Sequence, residues 1–262
     1  MLDQQVTMTT ATLVNLIRRR QAEPHTVLGE TPAWYSEEAR RAHDQRAHAE
    51  LAAFGLADGN GIHPGLLATV DAIARPALEY YGWVNGGHEG RPINFTLLAG
   101  SAAGEAFVVA RDVDKGVVVI VTVRPEELLD NFLAQIPQLP PGRGQQLSVP
   151  KSAVVGRRDA DREEFELMRT NRPSKEGRDA AELKRILGLH RIGGGSLYVA
   201  ARNRTGTRHR IDKPVTYIDT GEGRWLTEEV PGAGEPQYLC TPATPQLLQG
   251  RLRNAQSRLP VN

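Results

Sequence analysis

The chain has 262 residues, enough to bury a sizeable core either as one large domain or as two fused halves. Thirty-two basic and thirty-one acidic side chains leave a net charge of +1, which predicts neither a nucleic-acid groove nor an acidic-membrane patch. The single cysteine, Cys240, excludes an intramolecular disulfide and fits a reducing compartment, and nothing approaches the roughly 18 consecutive apolar residues of a membrane span. The apolar stretch from Leu13 to Ile17 precedes Arg18, Arg19 and Arg20, the wrong order and length for a secretory signal, so a cytosolic protein is expected.

A short extended Val6-Thr7-Met8-Thr9 is placed to join a sheet edge, and Thr10 is placed to cap a helix whose Leu13, Leu16 and Ile17 share a face. Ser36 followed by Glu37 and Glu38 starts a second helix that runs to Phe54 and stops at Gly55. Its face is read as the small residues Ala39, Ala42, Ala49 and Ala53. Pro64 opens a third helix carrying Leu66, Leu67, Val70, Ile73 and Ala74, ended by Pro76. Four runs rich in β-branched and aromatic residues follow, Leu78 to Val84, Ile93 to Ala99, Ala106 to Arg111 and Gly116 to Val123, and their short glycine-containing connections predict antiparallel pairing. Pro125 begins a helix with Leu128, Leu129, Phe132, Leu133 and Ile136 on one side.

Residues 138–177, with Pro140-Pro141-Gly142-Arg143-Gly144 near their start, read as a variable linker that holds one charged helix from Asp161 to Arg169. Beyond it come a helix from Asp179 to Leu187, strands near Ser196 to Asn203, Thr207 to Asp219, Arg224 to Val230 and Pro236 to Cys240, and a helix led by Thr244-Pro245. These elements repeat the earlier ones at a nearly constant offset. Leu78 to Tyr81 lie 119 residues before Leu197 to Ala200 (197 − 78), and Pro125 lies 120 before Pro245 (245 − 125). One domain is therefore expected, built of related halves at about 1–137 and 178–262 that share a sheet.

No motif for chemistry repeats in both halves. Gly193-Gly194-Gly195-Ser196 follows a helix and enters a strand, the reverse of the order a phosphate loop needs, so a flexible turn is the expectation. His43 and His48 are five residues apart and cannot chelate from one helical face; all seven histidines read as surface or turn residues, and no metal or cofactor is expected. Cys240 reads as a buried, inert thiol, and no Gly-x-Ser-x-Gly elbow supports a hydrolase. Two other classes remain open: an enzyme or ligand-binding domain with a small-molecule pocket between the halves, and an anion- or RNA-binding module using the basic stretch from Arg202 to Arg210.

Val6 to Leu13, Ser36-Glu37-Glu38-Ala39, Arg46 to Leu51, Gly55-Leu56, Leu67 to Pro76 and the final Thr-Pro-led helix together resemble the EspG proteins of actinobacterial ESX (type VII) secretion. The resemblance implies an α/β fold with a central, largely antiparallel sheet, flanking helices and a quasi-twofold repeat. It also implies a non-enzymatic cytosolic chaperone that binds the helical tip of PPE proteins in PE–PPE pairs and keeps these export substrates soluble. The family's contact regions map onto the loop Asn85, Gly86, Gly87, His88, Glu89, Gly90, Arg91 and Pro92, and onto the helix face around Leu247, Gln249, Arg251 and Arg253. Homo-oligomerisation is left open, and neither a nucleic acid nor a membrane is an expected partner.

Overall fold

The computed structural model describes residues 4–29, 36–88, 91–155 and 174–260. In chain order the elements are β1 (Val6–Thr9), α1 (Thr10–Arg19), α2 (Glu37–Ala53), β2 (Ala57–Asp58), β3 (Gly61–Ile62), α3 (Pro64–Ala74), β4 (Leu78–His88), β5 (Arg91–Ala102), β6 (Glu105–Asp112) and β7 (Val117–Thr122). A 3₁₀ turn at Pro125–Glu127 then leads into α4 (Leu128–Ala134), followed by β8 (Leu147–Pro150), α5 (Lys151–Val155), α6 (Lys175–Gly188), β9 (Arg191–Arg202), β10 (Arg208–Arg210), β11 (Val215–Thr220), β12 (Gly223–Val230), β13 (Gln237–Pro242) and α7 (Pro245–Ser257). Eleven of the strands form a large, mainly antiparallel sheet in the order β1-β7-β6-β5-β4-β9-β11-β12-β13-β8, with β10 paired to β9. The chain divides into two compact units, one of Met1–Gln138, Gly195–Pro214 and Gln249–Asn262, the other of Leu139–Gly194 and Val215–Leu248.

In the first unit β1 lies at the sheet edge beside β7, as the extended Val6–Thr9 predicts. The cap of α1 is Thr9 rather than Thr10: the Thr9 hydroxyl accepts the Thr12 N–H at 3.2 Å, and the Glu50 carboxylate accepts the Thr9 N–H at 2.6 Å. Glu50 thereby covers an edge donor that a neighbouring strand would otherwise seek. Ser36 caps α2 and Gly55 leaves it at a φ of 69°, as the start and stop signals predict, but the packed face is Ala47 and Leu51, while Ala49 and Ala53 are exposed. Burial of Leu13, Leu16, Ile17, Leu51, Leu66, Val70 and Ile73 against Tyr81, Leu98, Phe107 and Val109 makes the main core, each fully buried side chain contributing roughly 1.5–3 kcal/mol. Successive strand residues face opposite ways. Tyr81 accordingly joins that core, while Tyr80 turns the other way, hydrogen-bonds Gln256 of α7 and meets the Phe132 ring of α4 at 5.9 Å.

From residue 138 onward three expectations are corrected. Part of the segment read as a linker is structured: β8 pairs with β13, Leu147 and Val149 are buried, and Gly142 donates its N–H to the Arg224 carbonyl at 2.8 Å. The charged stretch from Asp161 to Arg169 lies outside the described residues. The glycines Gly193 to Gly195 are not a turn but the start of β9, and a side chain on Gly194 would place its Cβ 2.9 Å from the Tyr217 carbonyl oxygen. The run read as one strand from Thr207 to Asp219 is two, β10 and β11. Leu147, Val149, Leu183, Ile186, Ile218, Trp225 and Cys240 form this unit's core. Beside it Arg224 and Asp219, 5 % and 4 % exposed, make a buried bidentate pair at 2.7 and 2.9 Å.

Candidate partner-binding surface

The segment expected to be a loop at Asn85–Pro92 is mostly strand. Asn85 pairs with Asn94, Gly86 with Ile93, Gly87 with Pro92 and His88 with Arg91, which brings β4 and β5 together as a long hairpin. Gly86 sits at a φ of 143°, a conformation that favours glycine. Asn85, Gly87, Arg91 and Pro92 are exposed; Glu89 and Gly90 lie outside the described residues. On α7, Thr244 accepts the Leu247 N–H at 3.1 Å and so caps the helix, Leu248 and Leu252 face inward, and Arg253 is exposed. Gln249 is half-buried and donates to the Asp130 carboxylate of α4, while Leu247 and Arg251 are half-buried. The hairpin tip lies at least five residues along β4 from Tyr80, the residue that touches α7, which is about 16 Å or more of strand.

Sequence reasoning missed an aromatic and arginine strip on the opposite face of β4. Tyr81 stacks on Tyr198 at 5.2 Å with the rings 9° from parallel, and Trp83 stands edge-on to both at 5.9 and 5.8 Å. Arg208 lies 5.4 Å over Tyr81, and Arg210 lies 5.5 Å over Tyr198. The period-two spacing of Glu79, Tyr81 and Trp83 was a visible signal that these three share a face. Tyr198, 115 residues later (198 − 83), was not reachable from local pattern.

Beneath the strip the buried Glu79 meets the half-buried His25 and the exposed Arg208; His25 opens a turn, as one of the two readings has it, but its side chain is 12 % exposed rather than on the open surface. Val27 donates its N–H to His25 Nδ1 at 3.3 Å, while His25 Nε2 lies 3.2 Å from Arg208 Nη2, which can only donate, and 3.7 Å from the Glu79 carboxylate. Burial, and then the Arg208 charge, push the His25 pKa down to about 3, so the ring is neutral. Burial raises the Glu79 pKa against the opposing pull of Arg208 and Arg202. Arg208 donates to Glu79, and Arg202 donates to the Pro76 and Gly206 carbonyls at 3.2 and 3.0 Å. Two of the four arginines in the basic stretch are thus already engaged internally, which weakens the anion-binding reading.

The second unit contains a cleft of about 480 Å³, lined by Leu147, Ile186 and Trp225 within and by Gln145, Arg178 and Glu182 among its polar groups. Glu182 accepts two hydrogen bonds from Arg185, and its pKa is lowered, the reverse of what a general acid needs. Cys240 is buried and its thiol is pushed up to about 12 by that burial, matching the inert reading. Among the described residues no cluster of three or more His, Cys, Asp or Glu side chains is placed to hold a metal, and no helix is long and apolar enough to cross a membrane.

The architecture is that of a mixed α/β protein in which a broad antiparallel sheet carries helices, with an exposed hairpin and the exposed Trp83 on the same strand. The EspG family model matches residues 12–254, and the chain belongs to the EspG family. Among solved structures it is similar to the Mycobacterium tuberculosis type VII secretion system chaperone EspG5 in complex with a PE25-PPE41 dimer, with a TM-score of 0.64 and 15 % identity over 98 % of this chain and 97 % of that one. No curated protein matches the chain in sequence.

Proposed function

We propose that this EspG-family chain is a cytosolic chaperone or adaptor that binds PE–PPE-type secreted proteins and keeps them soluble for type VII export. The observation that carries the reading is the full-length likeness, within one family, to a chaperone seen with a PE–PPE dimer. The physics is consistent with a binding role rather than a reaction. An apolar helix tip is an aggregation hazard until covered, and a rigid sheet with a projecting hairpin can cover it without bond chemistry. The contact surface on this reading includes Asn85, Gly86, Gly87, His88, Glu89, Arg91 and Pro92 of the hairpin and Leu247, Gln249, Arg251 and Arg253 of α7.

Element order also supports two related halves. The run α3-β4-β5-β6-β7 and the Pro125 helix parallels α6-β9-β11-β12-β13-α7, with β6 and β12 starting 118 residues apart (223 − 105) and β7 and β13 starting 120 apart (237 − 117). The first pair departs from this, β4 and β9 starting 113 apart (191 − 78), because β9 is lengthened at its front by the glycine run. Overlay of the two runs in a crystal structure with matching strand polarity is the expected result, and opposed polarity would remove the reading.

The functional test is co-expression with a PE–PPE pair from the same genome. A single complex in size-exclusion chromatography, and a pair that stays soluble only in its company, are expected. A pair that is soluble alone and elutes separately would refute the proposal.

A further inference from the structure

We propose that the strip formed by Trp83, Tyr198 and Arg210 is a docking surface for a helical segment that carries an acidic residue beside an apolar one; the proposal rests on the chaperone reading and extends its contact surface. Trp83 is 40 % exposed, and with Phe54 it is one of two large apolar side chains left open among the described residues. Phe54 stands at the end of α2, whereas Trp83 belongs to a built cluster. Its ring is held edge-on by Tyr81 and Tyr198, and Tyr81 is fixed in turn by His25 at 4.5 Å and by Arg208, itself tied to Glu79. A tryptophan already fixed in place loses little conformational freedom when covered, and such residues dominate binding energy where they occur in interfaces.

Charge chooses the occupant. Arg210 is exposed, lies over Tyr198, and among the described residues has no carboxylate within ion-pair distance, while Arg208 is neutralised by Glu79. The complement to an indole with one unpaired guanidinium beside it is an apolar side chain with a carboxylate three or four positions away on a helix. A single-stranded nucleic acid fits less well, because base stacking needs open ring faces and here Tyr81 is buried and stacked against Tyr198. Trp83, Asn85 and Gly87 alternate onto one face of β4, so the strip runs directly into the hairpin already assigned to the partner.

The test measures affinity of the full chain for a PE–PPE pair by calorimetry, using Trp83→Ala, Arg210→Glu and wild type. Each substitution is expected to weaken binding about tenfold or more. Circular dichroism should be unchanged, and Arg210→Glu, at an exposed position outside the core, keeps the test valid if Trp83→Ala misfolds. Reversal of one acidic residue on the partner to lysine should restore binding to Arg210→Glu. Wild-type binding with both variants equally tight overturns the docking strip and leaves the chaperone reading intact. Failure of wild type to bind the pair overturns the chaperone reading and this proposal with it. Arg210-dependent capture of an oligothymidine, with no effect on the pair, overturns the assignment to a helical segment.

Discussion

Replacing Asp219 by alanine isolates the energetics of a charge pair that is almost fully buried. Arg224 donates from Nε and Nη2 to the two Asp219 oxygens at 2.7 and 2.9 Å, its guanidinium lies 4.3 Å over the Tyr217 ring, and both partners are almost fully covered. Removing only the acid leaves a guanidinium, fixed by design of the pocket, with its counter-charge gone and little water to replace it; that costs about 3–5 kcal/mol. Against a total stability of about 5–15 kcal/mol this is a large fraction. At about 2–4 °C per kcal/mol for a chain of this size, the melting temperature should fall by about 6–20 °C. Urea denaturation followed by tryptophan emission reads the change through the midpoint, and Trp225, the neighbour of Arg224 in β12, is a local reporter. Replacing both partners, as Asp219→Leu with Arg224→Met, should recover most of the loss, since an apolar pair of similar volume is often neutral relative to a buried ion pair. A single-variant loss below about 1 kcal/mol, the value for solvent-exposed pairs, would refute the argument, as would a double variant no better than the single.

Three further outcomes are expected. His25 has its folded pKa depressed from 6.5 to about 3, so protonation favours the unfolded chain and stability falls as pH drops through that interval; His25→Gln should flatten the urea midpoint between pH 7 and pH 4.5, and an unchanged slope would count against a buried neutral ring. Glu79, raised by burial, takes its proton in the folded state first and acts in the opposite sense, which is why the histidine is the variant to use. Cys240 should resist iodoacetamide at pH 8 in the native protein and react in urea, read by mass spectrometry; native labelling would contradict its burial. Gly142→Ala would set a Cβ 2.1 Å from Trp225 Cε2, and a cost of about 1–3 kcal/mol with altered tryptophan emission is expected, while a neutral result would mean that residues 140–144 do not hold this position.

Local chemistry was legible where one element decides its own form. The Ser36 cap with Glu37 and Glu38 behind it, the proline starts at Pro64 and Pro125, and Gly55 after α2 all act within a turn of the chain, and the structure keeps each of them. What was hidden depends on neighbours far away in sequence. Three consecutive glycines read as a turn, yet they extend β9 because at Gly194 the Tyr217 carbonyl oxygen leaves no space for a side chain. Proline and glycine at 140–144 read as a linker, yet Gly142 is needed where the Trp225 ring presses on the backbone. His25 looked like a lone surface residue, and its partners Glu79 and Arg208 lie 54 (79 − 25) and 183 (208 − 25) positions away. The face of α2 was misread for another reason: with so little apolar content, only Leu51 and Ala47 mark the packed side, and alanines on other sides carry no signal of direction.

Strand pairing in the hairpin changes what a partner would have to overcome. A glycine-rich loop that orders only on contact loses conformational freedom at each residue, of order 1–2 kcal/mol apiece, and that loss is set against every contact it makes. Asn85, Gly86 and Gly87 are already in register with Asn94, Ile93 and Pro92, so for these positions most of that loss occurs during folding instead. Trp83, two residues before Asn85 on the same strand, is fixed in the same way by Tyr81 and Tyr198. The β4 backbone is therefore pre-arranged from Trp83 to Gly87, with Trp83, Asn85 and Gly87 exposed along it. A scaffold of this kind suits recognition of a partner segment that is itself a stable helix end, because two rigid surfaces gain by fit rather than by mutual ordering.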